Sequence, residues 1–361
     1  MALHSKLIDV LGIKYPIIQG PFGGLSTVDL VSTVSNFGAL GSYGSHYDAP
    51  DKIIRTIDAI RERTSNPFVI NLWVSDIESM NSLITKEVFS GERSKLLPFY
   101  ELLGVEPPTY EESSYIPFEE QIEAALSRKP PVLSFIYGVP SEAILKECRR
   151  MHIVTIGTAT TVDEALALEG AGLDVIVATG SEAGGHRPAF LEAPEDRMIG
   201  TFSLVQQVSR AVSVPVVAAG GIIDGRGVAA ACLLGAQGAQ LGTAFLACNE
   251  SGASDYQKKV IRDNRNINTI LSRSYSGRLC RFVENEFLKL VPGGLSDTYP
   301  IRSWLMRALR KYTNENDITS LHSVSCGQSV GLLEHHEVDS LLESIVADLE
   351  QFKTQPMEER G

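Results

Sequence analysis

Residues 214–246 read VPVVAAGGIIDGRGVAAACLLGAQGAQLGTAFL and contain the pattern that decides the fold. Two short apolar runs, 214–220 and 239–246, flank the stretch DGRGVAAACLLG, which can form a helix. The runs are continuous rather than alternating, as is typical of parallel strands that are buried on both faces. The segment therefore predicts a strand, a helix and a second parallel strand in succession.

Six further apolar runs precede this segment, and amphipathic helical patterns separate most of them. The runs are 15–20, 38–44, 68–74, 132–138, 152–158 and 174–180. Helix start signals occur at Ser26, at Ser141 and in the capping box formed by Thr161 and Glu164. Eight strands that alternate with helices are typical of an α/β (β/α)8 TIM barrel rather than an open doubly wound sheet, although strand order cannot be read from a sequence.

Two stretches interrupt the alternation. Residues 75–118 are longer than one crossover needs and are expected to contain a surface loop or short helices. Residues 247–320 separate the eighth strand from the last helical pattern, HEVDSLLESIVADLEQF. We predict a TIM-barrel domain made of residues 1–250 and 321–361, with residues 251–320 inserted after the eighth strand as a small, mainly helical cap.

Bulk composition excludes several classes of protein. The chain has 361 residues, of which 43% are hydrophobic and 21% charged, which predicts a globular protein. Its net charge of -12 disfavours nucleic acid as a partner, because phosphate backbones are bound by clustered Lys and Arg. Five scattered cysteines without a C-x-x-C pair predict reduced thiols, and no apolar run suits a signal peptide or a membrane span. We expect a cytoplasmic protein that does not bind membranes and that could form a homodimer.

A phosphate site is expected at the loops after the seventh and eighth strands, where barrels of this type commonly bind phosphate. Gly220 and Gly221 allow the backbone to approach an anion, and Asp224 can cap the following helix. Gly242 and the Thr243 hydroxyl lie one barrel position along. Either pair alone would be explained by a tight turn, but the two pairs on adjacent strands favour phosphate binding.

A second signal is GSEAGGHRP, residues 180–188, just after the sixth strand. Gly184 and Gly185 remove side chains near the barrel axis, as a flat aromatic cofactor would require. His186 would project beside that cofactor, and imidazole is the side chain most easily adapted to exchange a proton near neutral pH. A lone histidine is more often exposed or bonded to the backbone, but the flanking glycines and the position at the active end favour a function.

The other histidines carry weaker signals. His46 follows the second strand and could line the pocket or lie on the surface. His335 and His336 have no partner at metal-ligand spacing, and no metal site is predicted.

The chain resembles the nitronate monooxygenases, formerly called 2-nitropropane dioxygenases, which are FMN enzymes built on a barrel. The resemblance covers most of the chain through PIIQGPFGG, FGALGS, NPFVINLWV, PPVLSFIYGVP, VATGSEAGGHRP, residues 214–251, SGRLCRFVENEF and CGQSVGLL. The combination of EAGGH with the two glycine loops is specific. The loops alone also resemble inosine-monophosphate dehydrogenase, but that enzyme needs a cysteine after the sixth strand, where this chain has SEAGGH.

The resemblance implies roles for individual residues, with His186 matching the catalytic base of the family. The implied FMN-binding residues are Pro21, Phe22, Asn71, Thr179, Gly180, Gly184, Gly220, Gly221, Gln240, Gly242 and Thr243. Thr179 stands where the family often has Gln, and GPF at 20–22 stands where APM is common. Both departures touch the surface that a substrate would meet.

The activity implied by the resemblance is FMN-dependent oxidation of alkyl nitronates, or of nitroalkanes, by O2 to a carbonyl compound and nitrite. His186 would be the general base. One alternative is an FMN-dependent enoyl-thioester reductase, which shares the EAGGH motif and uses NAD(P)H, or a related flavin oxidoreductase of specialised metabolism. Another is a flavin-binding scaffold or sensor without catalysis, although the intact histidine loop argues against it.

Overall fold

The computed structural model describes residues 5–75, 84–112, 116–263, 266–291, 298–316 and 318–354. Its strands, in chain order, are β1 Ile17–Gln19, β2 Gly41–Gly44, β3 Phe68–Trp73, β4 Val132–Ile136, β5 Val154–Ala159, β6 Val175–Thr179, β7 Gly185–His186, β8 Val216–Ala219, β9 Gly238–Leu241, β10 Thr269–Ser272 and β11 Cys280–Val283.

Eight of these strands form one parallel sheet, in the order β1-β9-β8-β6-β5-β4-β3-β2. A bridge between Ile18 and Leu40 joins β1 to the residue before β2, so the sheet closes on itself. The predicted barrel and all eight predicted strands are thus confirmed. One boundary was wrong: the eighth strand ends at Leu241, and the second half of the 239–246 run turns into a helix.

Helices alternate with the barrel strands, and further helices lie before β1 and in the two interruptions. They are α1 Lys6–Leu11, α2 Val28–Phe37, α3 Pro50–Arg63, α4 Lys86–Leu103, α5 Phe118–Ser127, α6 Glu142–Arg150, α7 Val162–Gly170, α8 Thr201–Ala211, α9 Gly225–Leu233, α10 Thr243–Leu246, α11 Asp255–Asp263, α12 Glu286–Leu290, α13 Ile301–Glu315 and α14 Val338–Thr354. The predicted caps at Ser141, Thr161 and Asp224 each accept a hydrogen bond from the first turn of their helix.

The start of α2 lies one residue later than predicted. Thr27, not Ser26, caps this helix by accepting a hydrogen bond from the Leu30 amide at 2.9 Å. The Ser26 hydroxyl instead accepts from the amides of Phe22 at 3.0 Å and Gly44 at 3.3 Å. Ser26 therefore ties the loop after β1 to the end of β2, which positions one wall of the cavity described below.

Alternation of side chains along the strands fills the barrel interior. Val175 and Val177 of β6 pack in one cluster with α1, whereas Ile176 and Ala178 pack in the outer cluster that contains residues of the surrounding helices. Because successive side chains of a strand point to opposite faces, this division is the expected one. Leu7 and Leu11 of α1 belong to the inner cluster, so α1 packs on the barrel interior from the amino ends of the strands.

Both interruptions of the barrel contain regular structure. Within residues 75–118 we expected a surface loop or short helices. The structure also contains the 18-residue helix α4, which this expectation did not include. Gly91 and Pro98 lie inside α4, and both residue types disfavour a helix in sequence-based reasoning. Residues 76–83 and 113–115 lie outside the described part of the chain.

Residues 251–320 contain helices α11 to α13 and also the antiparallel hairpin of β10 and β11. β11 pairs on its other side with β7, which carries His186. A hydrophobic cluster packs α12 and α13 against α4, so the two interruptions are in contact. The division into domains with boundaries at 250 and 320 stays a prediction.

Two sequence expectations concern the environment of the chain. Across the described ranges, no helix is both long and apolar enough to cross a membrane. All five cysteines are free thiols in the structure.

Candidate active site

A cavity of about 610 Å³ lies at the carboxyl ends of the barrel strands, which is within the range of about 300–1,000 Å³ that is usual for small-molecule sites. Residues 322–330 close part of its wall. Eleven of the twelve residues singled out by the sequence line it: Pro21, Phe22, Asn71, Thr179, Gly184, His186, Gly220, Gly221, Gln240, Gly242 and Thr243. The fold therefore gathers residues from distant loops around one space.

Gly180 is the exception and does not line the cavity. A Cβ at this position would lie 2.0 Å from the Thr201 hydroxyl oxygen and 2.5 Å from a Glu182 carboxylate oxygen. Glu182 accepts hydrogen bonds from the Thr201 amide at 2.8 and 2.9 Å and so caps α8. Gly180 thus makes room for this cap, and a direct contact with a cofactor finds no support in the lining of the cavity.

The glycine loops after β8 and β9 lie at one end of the cavity. Gly220 and Gly221 have φ angles of 105° and 72°, a left-handed conformation that glycine adopts without strain. A Cβ on Gly242 would meet nothing closer than Phe22 at 3.9 Å, so the cavity approaches the backbone there. The open backbone at Gly242, together with the turns at Gly220 and Gly221, suits an anionic group that contacts main-chain amides.

A segment that sequence reasoning noted only through the resemblance, CGQS at 326–329, covers these loops. The Gly327 amide donates to the Thr243 hydroxyl at 2.8 Å, and the Ser329 hydroxyl donates to the Gly221 carbonyl at 2.7 Å. A Cβ on Gly184 would lie 2.4 Å from the carbonyl carbon of Cys326. Gly184 therefore allows two stretches of backbone to touch.

The side of the cavity formed by β3, β4 and β6 offers polar groups among apolar ones. The buried Asn71 amide donates to the Ser134 hydroxyl at 2.9 Å, which fixes its orientation and leaves its carbonyl oxygen as an acceptor. The Thr179 carbonyl accepts from the buried Arg187 guanidinium at 2.6 Å, so the end of β6 is held in place. Ile136, Ile156 and Val177 supply apolar surface between these groups.

The pairing of β7 with β11 holds His186 at the cavity. His186 lies opposite Cys280 in this pairing, and its Nε2 is 2.8 Å from the Ser276 hydroxyl oxygen. Ser276 donates its single hydrogen to the Arg278 carbonyl at 3.1 Å. With its hydrogen on that carbonyl, the Ser276 oxygen can act as the acceptor for the imidazole, which corresponds to the tautomer with the hydrogen on Nε2 and the lone pair on Nδ1.

The surroundings of His186 disfavour its protonated form. Burial, and after it the positive charges of Arg278 and Arg310, together lower the pKa of His186 from 6.5 to about 3. The indole of Trp73 meets the imidazole edge-on, with ring centroids 4.9 Å apart. His186 is therefore a neutral imidazole that can accept a proton or a hydrogen bond through Nδ1.

Several residues of the site carried no decisive signal in the sequence. His46 lines the cavity, which is one of the two placements that its sequence context allowed. Arg278 lies over the rings of Tyr137 and Tyr299, at 4.0 and 4.5 Å from their centroids. Among the residues that the structure describes, no group of His, Cys, Asp or Glu is arranged to hold a metal ion.

Comparisons with known proteins agree with this geometry. Residues 4–348 match the family model of nitronate monooxygenase. A probable nitronate monooxygenase of Staphylococcus haemolyticus is 39% identical over 358 residues, which are 98% of each chain. The nitroalkane oxidase of Streptomyces ansochromogenes has a similar structure, with a TM-score of 0.89, 32% identity and coverage of 97% of this chain and 99% of that one. FabK from Thermotoga maritima, at 26% identity, covers 98% of both chains with a TM-score of 0.74. The chain belongs to the nitronate monooxygenase family and is an oxidoreductase.

Proposed function

We propose that the chain binds FMN in this cavity and oxidises alkyl nitronates with O2 to a carbonyl compound and nitrite. Members of its family depend on a flavin, and the family resemblance names the substrate class. The observation that carries the proposal is the neutral His186, whose imidazole lines the same cavity as the glycine loops after β8 and β9.

The residues present fit FMN. The phosphate would contact the backbone of Gly220, Gly221 and Gly242 and the hydroxyl of Thr243, at the end of the cavity where side chains are missing. The ring system would lie on the apolar surface near Phe22, within reach of polar groups such as Asn71. When bound, FMN would take electrons from the substrate and pass them to O2.

The charges around His186 favour an anionic substrate. Arg278 and Arg310 disfavour an additional positive charge on the imidazole, and for the same reason they favour a negative charge in the cavity. A nitronate is such an anion and needs no proton removed. A neutral nitroalkane would first have to give its α-proton to His186, and because the surroundings disfavour the protonated imidazole, we expect it to be the slower substrate.

The proposal is tested by mixing the purified, FMN-loaded protein anaerobically with propane-2-nitronate and, in parallel, with NADPH. Bleaching of the flavin absorbance by the nitronate, followed by nitrite formation once O2 is admitted, is the expected result. Rapid bleaching by NADPH alone would instead identify the reductase alternative. A protein that is colourless and takes up no added FMN would contradict the proposal.

The pH dependence of nitroalkane oxidation follows from the lowered pKa of His186. Because the folded protein holds this pKa at about 3, the imidazole stays neutral as the pH falls from 8 to 5. We therefore expect kcat/KM for freshly dissolved 2-nitropropane to stay level over this range. An imidazole with the usual pKa of about 6.5 would lose about thirtyfold of its neutral form by pH 5. A fall of that size with a midpoint near 6.5 would contradict the proposed state of His186.

Ser276 is expected to act as a positioning residue for His186. Replacing Ser276 with alanine removes the acceptor for the Nε2 hydrogen, so the imidazole can rotate or change tautomer. We expect kcat for 2-nitropropane to fall by about tenfold, the effect of roughly one hydrogen bond, while the flavin content is unchanged. Ser276→Thr, which keeps a hydroxyl, is the control and should recover part of the rate. Equal rates for wild type and Ser276→Ala would rule this role out.

A further inference from the structure

His46 occupies a fixed place in the cavity wall that the proposed reaction has not used. Its imidazole stacks on the indole of Trp73, with ring centroids 3.8 Å apart and planes 6° apart. On the loop after β1, a Cβ on Gly23 would lie only 1.8 Å from Cε1 of His46, so the imidazole fills the space that a side chain at 23 would need. The imidazole is thus held from two sides.

Both ring nitrogens of His46 are buried, and neither has a hydrogen-bond partner among the described residues. Buried polar groups are nearly always paired, because an unpaired one loses its hydrogen bonds to water without replacement. His46 lines the cavity, so a molecule bound there can supply the missing partner. This unmet hydrogen-bonding capacity points to a ligand.

The position of His46 places that ligand near the reacting end of the cavity. Trp73 contacts His46 with the face of its indole and lies 4.9 Å from His186, so both imidazoles touch one side chain. The glycine loops that suit a phosphate follow β8 and β9, whereas His46 follows β2. His46 therefore lies close to the imidazole that the proposed reaction uses.

The charge state of His46 decides what it can offer. Its pKa lies well below the ordinary 6.5, first because of burial and then because of His186 and Arg278 nearby. A neutral imidazole has one N–H donor and one lone pair. The N–H matches an oxygen acceptor, and the nearby positive charge of Arg278 favours an acceptor that is negatively charged.

We propose that His46 is a substrate-binding residue that donates a hydrogen bond from its neutral imidazole to one oxygen of the nitronate. This inference rests on the proposed function and adds the residue that holds the oxygen end of the substrate. Stacking on Trp73 and the absence of a side chain at Gly23 keep the N–H in place before the substrate arrives. Because the donor is already held in place, less conformational entropy is lost when the substrate binds.

The test compares FMN-loaded wild type with His46→Phe, using propane-2-nitronate as the substrate. Phenylalanine keeps a flat ring for the stack on Trp73 but has no N–H. We expect KM to rise about tenfold or more, which is the effect of losing a hydrogen bond to a charged group, while kcat changes by less than about twofold. The flavin content, read from the visible spectrum, is expected to be unchanged. His46→Asn keeps a donor and should give an intermediate KM.

A second variant covers the case in which His46→Phe does not fold. Gly23→Ala places a methyl group where the imidazole now lies, so His46 must move and KM should rise in the same direction. An unchanged KM in a folded His46→Phe would overturn this inference and leave the proposed function standing. Loss of flavin instead of substrate affinity would also overturn it, because His46 would then bind the cofactor. If wild type itself did not oxidise the nitronate, both proposals would fall together.

Discussion

Replacing His186 with asparagine is expected to lower kcat/KM for 2-nitropropane by about 10²–10⁴-fold, the usual contribution of a positioned general base. Asparagine can still donate to Ser276 and fill part of the space beside Trp73. It has no basic nitrogen to replace the Nδ1 lone pair. The defect should therefore appear in proton removal rather than in flavin binding.

The same variant should oxidise propane-2-nitronate at a rate within about tenfold of wild type, because the nitronate has no α-proton to give to a base. Stopped-flow spectroscopy under anaerobic conditions measures flavin reduction by each substrate directly. His336→Asn is the matched control, since His336 is an exposed histidine near the start of α14. Equal losses for the two substrates would show that His186 acts other than by accepting the α-proton. An undiminished rate with 2-nitropropane would exclude it as the base.

The barrel and most of its site could be predicted because the signals are local. Strands buried on both faces are continuous apolar runs, and the glycines of the anion loops stand next to the strands that carry them. The EAGGH segment lies in the loop region that begins after β6, so the place of its histidine at the carboxyl end follows from the fold class. For Gly180 the family resemblance implied a contact with the cofactor, which stays a prediction, and a Cβ at this position would meet Thr201 and Glu182.

Other features depend on contacts between distant parts of the chain, which no local pattern reveals. Ser276, which orients His186, lies 90 residues away and reaches it through the pairing of β7 with β11. In the sequence, His46 is a histidine after a strand with no further signal. The space beside Gly23 that its imidazole fills is formed only when the loops after β1 and β2 come together in the fold. The hydrogen bond of Ser276 and the burial of His46 exist only in the folded chain.

The contact between the two interruptions of the barrel was likewise invisible in the sequence. Glu92 of α4 and Arg302 of α13 are 210 residues apart, yet they form a salt bridge in which the side chains are only 4% and 2% exposed. The buried cluster around them includes Leu96, Trp304 and Leu305. This buried ion pair links the two helices, and breaking it should have a large effect on stability.

Glu92→Leu is expected to lower the free energy of unfolding by about 3–5 kcal/mol, because it leaves the Arg302 guanidinium buried without its carboxylate. The double variant Glu92→Leu/Arg302→Met should recover most of that loss, since apolar side chains can replace a buried ion pair at little or no cost. Urea unfolding followed by tryptophan fluorescence suits the measurement, because Trp304 lies on α13 two residues from Arg302. Glu101→Leu, at an exposed position of α4, is the control and should change the stability by less than about 0.5 kcal/mol. Glu92→Leu could prove as stable as wild type, or the double variant no more stable than the single one. Either result would contradict the claim that a buried, unpaired Arg302 guanidinium lowers the stability.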